Sequence, residues 1–279
     1  MGRQLRTILS ARYSSGQVYL YETTEAGDAE SLVQIINTRD NIICAVGGDG
    51  TIHEIVNGLM RNILIDVEKD VRICPVPCGS GNAIAAESNI RSIRDVVDLC
   101  ETPTAREIDI IEVDSGVRLR YSVLNIMYGF IADVDIYSEW LRKWCGSLRF
   151  IIYALWMLMT YVTLSSTIFI NDVPTNITTL VYSNFAHLTQ SDIIDNDAKP
   201  DDKKLNMVYC PGSMSRCEIA SILARGLHTE SPNLRRQTVS KPFVLSGCTK
   251  GLNIDGELYP NMTKATCRFS QKRLKFLAQ

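Results

Sequence analysis

Between Ala45 and Glu54 the chain reads AVGGDGTIHE. Gly47, Gly48, Asp49 and Gly50 stand between an apolar run and a helical pattern. Glycines in such a place let the backbone approach a phosphate closely, and the start of a helix offers N–H groups to an anion. A carboxylate in the middle of the loop does nothing for phosphate by itself. It fits a general base for a hydroxyl, or a group acting through a magnesium ion. The plainer alternative for Asp49 is a turn residue bonded to its own backbone. That explains a lone Asp-Gly better than three glycines around one aspartate. Glu54 also has a plainer reading, because Thr51-x-x-Glu54 is a capping-box pattern.

A second loop, VPCGSGNAIA, places Gly79, Ser80 and Gly81 after one apolar run and before another helical pattern. The first glycines of the two loops are 32 residues apart. Ligands in open α/β sheets bind beyond the carboxyl ends of strands. The two loops therefore read as two walls of one nucleotide pocket.

The elements that must carry these loops follow from periodicity. Leu5, Ile8 and Leu9 give residues 3–12 one apolar helical face, and SSGQ breaks it. VYLYET reads as a strand, AESLVQIINT as a helix, and NIICAV as a strand buried on both faces. Ile52, Ile55, Val56, Leu59 and Met60 form a helical stripe. VRICPVP is a second buried strand and IRSIRDVVDLC a further helix. Alternating strand and helix predicts a parallel α/β sheet. After Thr102 strand-like runs dominate, with helices expected only over 137–163 and 214–227. The fold class expected is an α/β N-terminal domain with a parallel sheet, followed by a mostly antiparallel β-rich C-terminal domain. The boundary falls in ETPTARE, dividing the chain into 1–105 and 106–279.

Composition limits the remaining options. The formal net charge of -2 over 279 residues lacks the basic excess of a phosphate-backbone binder, so no nucleic-acid partner is expected. Nine scattered cysteines read as reduced thiols of an intracellular protein rather than a disulfide framework. Cys74 and Cys78, with His53, His187 and His228 the only histidines, do not make a zinc motif. The start, MGRQLRTILSAR, is not a signal peptide, and Arg6 breaks the myristoylation pattern. The run Phe150 to Leu164 is short for a membrane span and reads as a buried helix, or as one lining an apolar pocket or touching a bilayer.

GGDGTIHEIVNGL followed by P-x-P-C-GSGN resembles the diacylglycerol kinase catalytic superfamily of lipid kinases. GFIADVD, the S-E…R…L-R-F sequence after it and IDGELYP resemble the sphingosine kinase branch. The resemblance runs from about Thr23 to the end and is loose between 165 and 250. It implies a kinase using ATP and Mg2+, with no metal ligand assigned. Asp49 is implied as the base. Thr23, Gly47, Gly48, Gly50, Glu54, Gly79, Ser80 and Gly81 are implied to line the ATP site. Arg142 and Arg149 are implied to reach its phosphates, and Asp255, Gly256 and Glu257 to close it. Asp135 is implied to recognise the lipid head group, with the amine of a sphingoid base as its partner. The residues alone do not rank Asp133 against Asp135. They leave Arg142 and Arg149 open as solvated helix charges and Asp255 as half a turn signal.

On that resemblance, 1–105 is an ATP-binding domain and 106–279 a lipid-binding one, with the lipid's primary hydroxyl as phosphoryl acceptor. A cytoplasmic protein with reversible, peripheral membrane contact is expected. The alternatives are a ceramide, diacylglycerol or other lipid kinase, or a catalytically impaired lipid-binding remnant. The N-P-x-x-G-x-G loop and the strand before it, usual in these kinases, have no counterpart in the sequence. The domain is therefore expected to be N-terminally incomplete, and neighbouring strands to be left with an unpaired edge.

Overall fold

The computed structural model describes all residues except 14–16, 37–40, 65, 162–163, 191, 228–230 and 232–233, and omits the side chains at 70 and 147. The break expected at Ser14, Ser15 and Gly16, the residue His228 and part of the 150–164 run lie outside the described residues. Two units divide the chain: Met1–Ile108 with Lys272–Gln279, and Asp109–Gln271. The sequence placed the division at 105/106 and expected no return of the chain to the first unit.

In chain order the first unit contains α1 (Gly2–Ser10), α2 (Asp28–Ile35), β1 (Asn41–Gly47), α3 (Asp49–Arg61), α4 (Val67–Asp70), β2 (Val71–Pro77), α5 (Ala83–Glu87) and α6 (Ile93–Glu101). β1 pairs with β2 in parallel register, Asn41 opposite Val71 through Gly47 opposite Pro77. This register brings both strands to an end at the same level. The glycine loops that leave them are therefore neighbours, and Cys78 N–H donates to the Gly47 carbonyl at 2.9 Å. Leu5 and Leu9 of α1 join Val76, Val96, Val97 and Leu99 in one core. The start of α6 is fixed by a true capping box between Ser92 and Asp95.

Two expectations fail here. VYLYET is not a strand: residues 18–23 have no regular structure, and Tyr19 and Tyr21 are exposed. A strand exists only where another can complete its ladder. β1 is the outermost strand of its sheet, so among the described residues nothing stands beside it to do so. For the same reason NIICAV is only half-buried, whereas VRICPVP is largely buried.

The second unit is antiparallel at its centre. The chain continues through β3 (Ala105–Asp114), β4 (Leu119–Ser122), β5 (Asn125–Gly129), α7 (Phe130–Tyr137), a 3-10 turn over 139–141, α8 (Arg142–Cys145), a second 3-10 turn over 146–148 and α9 (Arg149–Thr160). It then forms β6 (Ser166–Ile170), β7 (Val173–Ser183), β8 (Leu205–Pro211), α10 (Arg216–Arg225), β9 (Arg235–Val239), β10 (Phe243–Ser246), β11 (Leu252–Ile254), β12 (Glu257–Tyr259) and β13 (Lys264–Leu277). β7 pairs antiparallel with β5, β6 and β8. Ile126, Tyr128, Leu180, Tyr182, Phe243 and Leu245 lie in the core between them. The last residues of β13 run parallel to β2, with Lys275 opposite Arg72, which is why the chain end counts with the first unit.

Candidate active site

In the first unit, α3 begins directly at Asp49, with Gly48 in extended conformation before it. The Asp49 carboxylate reaches the second glycine loop. Its Oδ2 accepts the Ala83 N–H at 3.0 Å and its Oδ1 accepts the Ile84 N–H at 3.1 Å. Each carboxylate oxygen can accept more than one hydrogen bond, so this grip orients the group without exhausting it. The loop is itself pinned by Asn82, which accepts from Gly79 N–H and donates to the Gly79 carbonyl, both at 2.8 Å.

The glycines are required by contact rather than by conformation. A β-carbon on Gly79 would stand 2.5 Å from the Gly48 α-carbon. One on Gly47 would strike Thr51 at 2.2 Å. The two loops interlock backbone to backbone. The Ser80 and Gly81 N–H groups donate to no protein acceptor among the described residues. Small residues with donors at the ends of two parallel strands suit a phosphate chain. A hydrated magnesium ion held chiefly by substrate phosphates needs only one or two protein oxygens, and the Asp49 carboxylate would be the group beside the loops to supply one.

One residue expected at the nucleotide is engaged elsewhere. Glu54 accepts Gly27 N–H at 2.9 Å and Ala29 N–H at 3.1 Å, one on each oxygen. It caps the start of α2 from the neighbouring helix, and the Thr51–Glu54 capping box does not form, because α3 begins at Asp49. Thr23 is exposed in the irregular segment before α2.

In the second unit the IDGE segment is a tight hairpin between β11 and β12, with Ile254 opposite Glu257. Asp255 and Gly256 both have positive φ, 54° and 90°, as a two-residue primed turn demands. The Asp255 side chain turns inward. It accepts the Ser122 hydroxyl at 2.7 Å and the N–H groups of Val123, Leu124 and Asn125 at 2.9 to 3.0 Å. Three consecutive N–H groups drawn to one carboxylate turn the chain between β4 and β5. Asp255 is thus a buried organiser of the 122–125 turn. Gly256 lies beside Asp135, and Glu257 is exposed.

α7 opens at Gly129, whose φ of 87° and close approach to the Thr178 carbonyl admit no β-carbon. It presents both aspartates of IADVD. Asp133 is buried and ion-paired with Lys250 at 2.5 Å, and burial still leaves its carboxyl above the ordinary range. Asp135 keeps 22% of its side chain exposed and faces Arg149 at 3.5 Å. Burial pushes the Asp135 carboxyl up to about 6, against the hydrogen bond from Asn253 and the charge of Arg149. Arg149 itself is only 5% exposed and points into this unit. It donates to the Asp135 carbonyl and the Ser138 hydroxyl, both at 3.0 Å, and pairs with Glu139 at 2.7 Å. Arg142 is exposed and pairs with Glu139 at 2.5 Å. The structure therefore gathers Asp135, Arg149, Gly256 and Glu257 around α7, and adds Asn253, Glu139 and Ser138. The sequence offered no signal for Asn253 beyond its place two residues before Asp-Gly.

Phe130 and Ile131 of α7, with Ile219, Ile222, Leu223 and Leu227 around α10, line an apolar crevice. On α9, Ala154, Met157 and Leu158 are buried, while Ile151, Leu155, Trp156 and Met159 face outward. Trp140, Trp144 and Leu148 extend that exposed apolar surface. Among the described residues no helix is long and apolar enough to cross a membrane, and no three His, Cys, Asp or Glu side chains come together as a metal cluster.

Residues 2–113 match the family model of the diacylglycerol kinase catalytic domain. Sphingosine kinase 1 of Arabidopsis thaliana is 34% identical over 151 residues, covering 50% of this chain and 30% of that protein. Sphingosine kinase 1 of Homo sapiens is 36% identical over 124 residues, covering 40% of this chain and 32% of that protein. A solved diacylglycerol kinase structure from Bacillus anthracis str. Sterne superposes with a TM-score of 0.68 at 15% identity, covering 97% of this chain and 88% of that chain. The structural likeness bears out the fold class. The matches together bear out the resemblance to the sphingosine kinase branch of the diacylglycerol kinase catalytic superfamily. The matched segments span about a third of the length of these curated relatives.

Proposed function

We propose that the chain is an ATP-dependent lipid kinase whose acceptor is the primary hydroxyl of a sphingoid base. The observation that carries the kinase reading is the Asp49 carboxylate, held across two interlocked glycine loops by Ala83 and Ile84. In this reading Gly47, Gly48, Gly50, Gly79, Ser80 and Gly81 bind the ATP phosphates. Asp49 takes the proton of the lipid hydroxyl as its oxygen forms the new bond to the γ-phosphorus. The bond from that phosphorus to the β,γ-bridging oxygen breaks, and ADP leaves. Positioning supplies most of the acceleration in such transfers. Magnesium bound to the phosphates would neutralise developing charge. Arg142, exposed and paired with Glu139, is the arginine this reading assigns to a phosphate. Arg149 acts through Asp135.

Asp135 supports a cationic lipid, because a part-exposed carboxylate in low-dielectric surroundings is the simplest recognition element for an ammonium group. Relatives named as sphingosine kinases and, in Saccharomyces cerevisiae, as a sphingoid long chain base kinase favour the same substrate class. The outward apolar stripe of α9, with Trp140 and Trp144, suits peripheral docking on a bilayer, where amphipathic aromatic side chains settle at the headgroup level.

The test is transfer of radiolabelled phosphate from ATP to sphingosine, ceramide and diacylglycerol in parallel. Sphingosine is expected to be labelled fastest. Preference for a neutral lipid would shift the assignment to that lipid, and ATP binding with no transfer to any lipid would leave the impaired, lipid-binding reading. Sedimentation with phospholipid vesicles should fall for Trp144→Ser with Ile151→Ser.

A further inference from the structure

Asp135 is held at both oxygens by different elements. Oδ1 faces the Arg149 guanidinium at 3.5 Å, and Oδ2 accepts from Asn253 Nδ2 at 3.1 Å. Asn253 is 1% exposed on β11, opposite Met127 of β5 and Leu258 of β12. Its amide orientation is not free, since Oδ1 accepts the Gly256 N–H at 2.9 Å. The NH2 end is therefore the end that meets Asp135.

We propose that Asn253 is a positioning residue for lipid specificity, orienting the Asp135 carboxylate for an ammonium head group; this rests on the Asp135 reading above. The local charges explain why a neutral donor belongs there. Arg149 stands closer to Glu139, at 2.7 Å, than to Asp135. Glu257 adds a further negative charge nearby, and Asp133 on the same helix is neutralised by Lys250. Two cations, the buried Arg149 and the exposed Arg142 on Glu139, stand against the carboxylates of Asp135, Glu139 and Glu257 and leave the cluster net negative, as an ammonium ligand requires. A cation at position 253 would cancel that surplus and compete with the ligand. An amide fixes the carboxylate plane and leaves its charge available.

The experiment follows the sphingosine-to-diacylglycerol ratio of kcat/KM from pH 5 to 8.5 in the full chain. The ratio removes pH effects common to both lipids. In the unsubstituted protein it should rise with Asp135 ionisation, around the value of about 6 to which burial pushes that group. Asn253→Leu removes the donor and should move the midpoint up by about one to two pH units. Asn253→Asp keeps an acceptor for Gly256 N–H but faces one carboxylate with another, and should also move it up, because the pair then shares a proton. A purely structural role predicts something different. Asn253→Leu would lower kcat/KM for both lipids equally, Asn253→Asp would be silent, and the midpoint would stay in place; that result overturns the proposal. Asp135→Asn separates the two layers. If it flattens the ratio while the Asn253 variants do not shift the midpoint, only the role of Asn253 falls. If it leaves the ratio intact, the Asp135 reading falls as well.

Discussion

A β-carbon at Gly81 would lie 2.9 Å from Oδ2 of Asp49, so the width of the second glycine loop sets the position of the carboxylate. Gly81→Ala should push the Asp49 side chain away from Ala83 and Ile84 while leaving the core untouched. A misplacement of that size can cost on the order of 100-fold in turnover. Steady-state kcat beside the thermal midpoint checks it, and a variant with unchanged kcat would show that the loop has slack.

Asp49→Asn tests the base directly. The amide cannot take the hydroxyl proton, and turnover should fall by roughly 10² to 10⁴. One of the two hydrogen bonds to the α5 backbone is also lost, which costs about 1 kcal/mol of stability. Nucleotide binding followed by calorimetry should persist. Turnover near that of the unsubstituted enzyme would remove Asp49 from the chemistry.

Asp255→Ala should behave as a folding variant. Three N–H groups and the Ser122 hydroxyl converge on that carboxylate, and their loss as a set should cost at least about 3 kcal/mol. Chemical denaturation is the measurement. A variant of near-normal stability that binds ATP weakly would return Asp255 to the nucleotide.

Asp135 links function to pH-dependent stability. Burial raises its carboxyl from an ordinary 3.8 to about 6. Between those values the native state holds a proton that the unfolded chain has released. Its contribution therefore declines as pH rises through that window, by up to about 3 kcal/mol for a group this enclosed. Asp135→Asn should gain in thermal midpoint, relative to the unsubstituted protein, on going from pH 4 to pH 7.5. An equal difference at both pH values would contradict the assignment.

The glycine loops were legible because their signal is local. Gly47 to Gly50 and Gly79 to Gly81 each follow an apolar run and precede a helical stripe, and the parallel pairing of β1 with β2 brings the loops together. Helix α6 was legible for the same reason, as a helical pattern within IRSIRDVVDLC, and the structure adds its cap at Ser92 and Asp95. Strand VYLYET was misread because alternation records which faces a segment would bury, not whether a neighbouring strand exists to receive its hydrogen bonds.

By itself the sequence determined most of the element types, the two glycine loops and the presence of acidic and basic groups at Glu54, Asp135, Arg149 and Asp255. Only the tertiary structure decided what each charge does. Glu54 was spent on the α2 backbone at Gly27 and Ala29, Asp255 on residues 122–125, and Arg149 on Asp135 and Glu139. The physical reason is that a carboxylate or guanidinium takes its role from the donors and acceptors within about 3 Å of it. For Asp255 those donors lie more than a hundred residues away along the chain, where no local pattern can carry them.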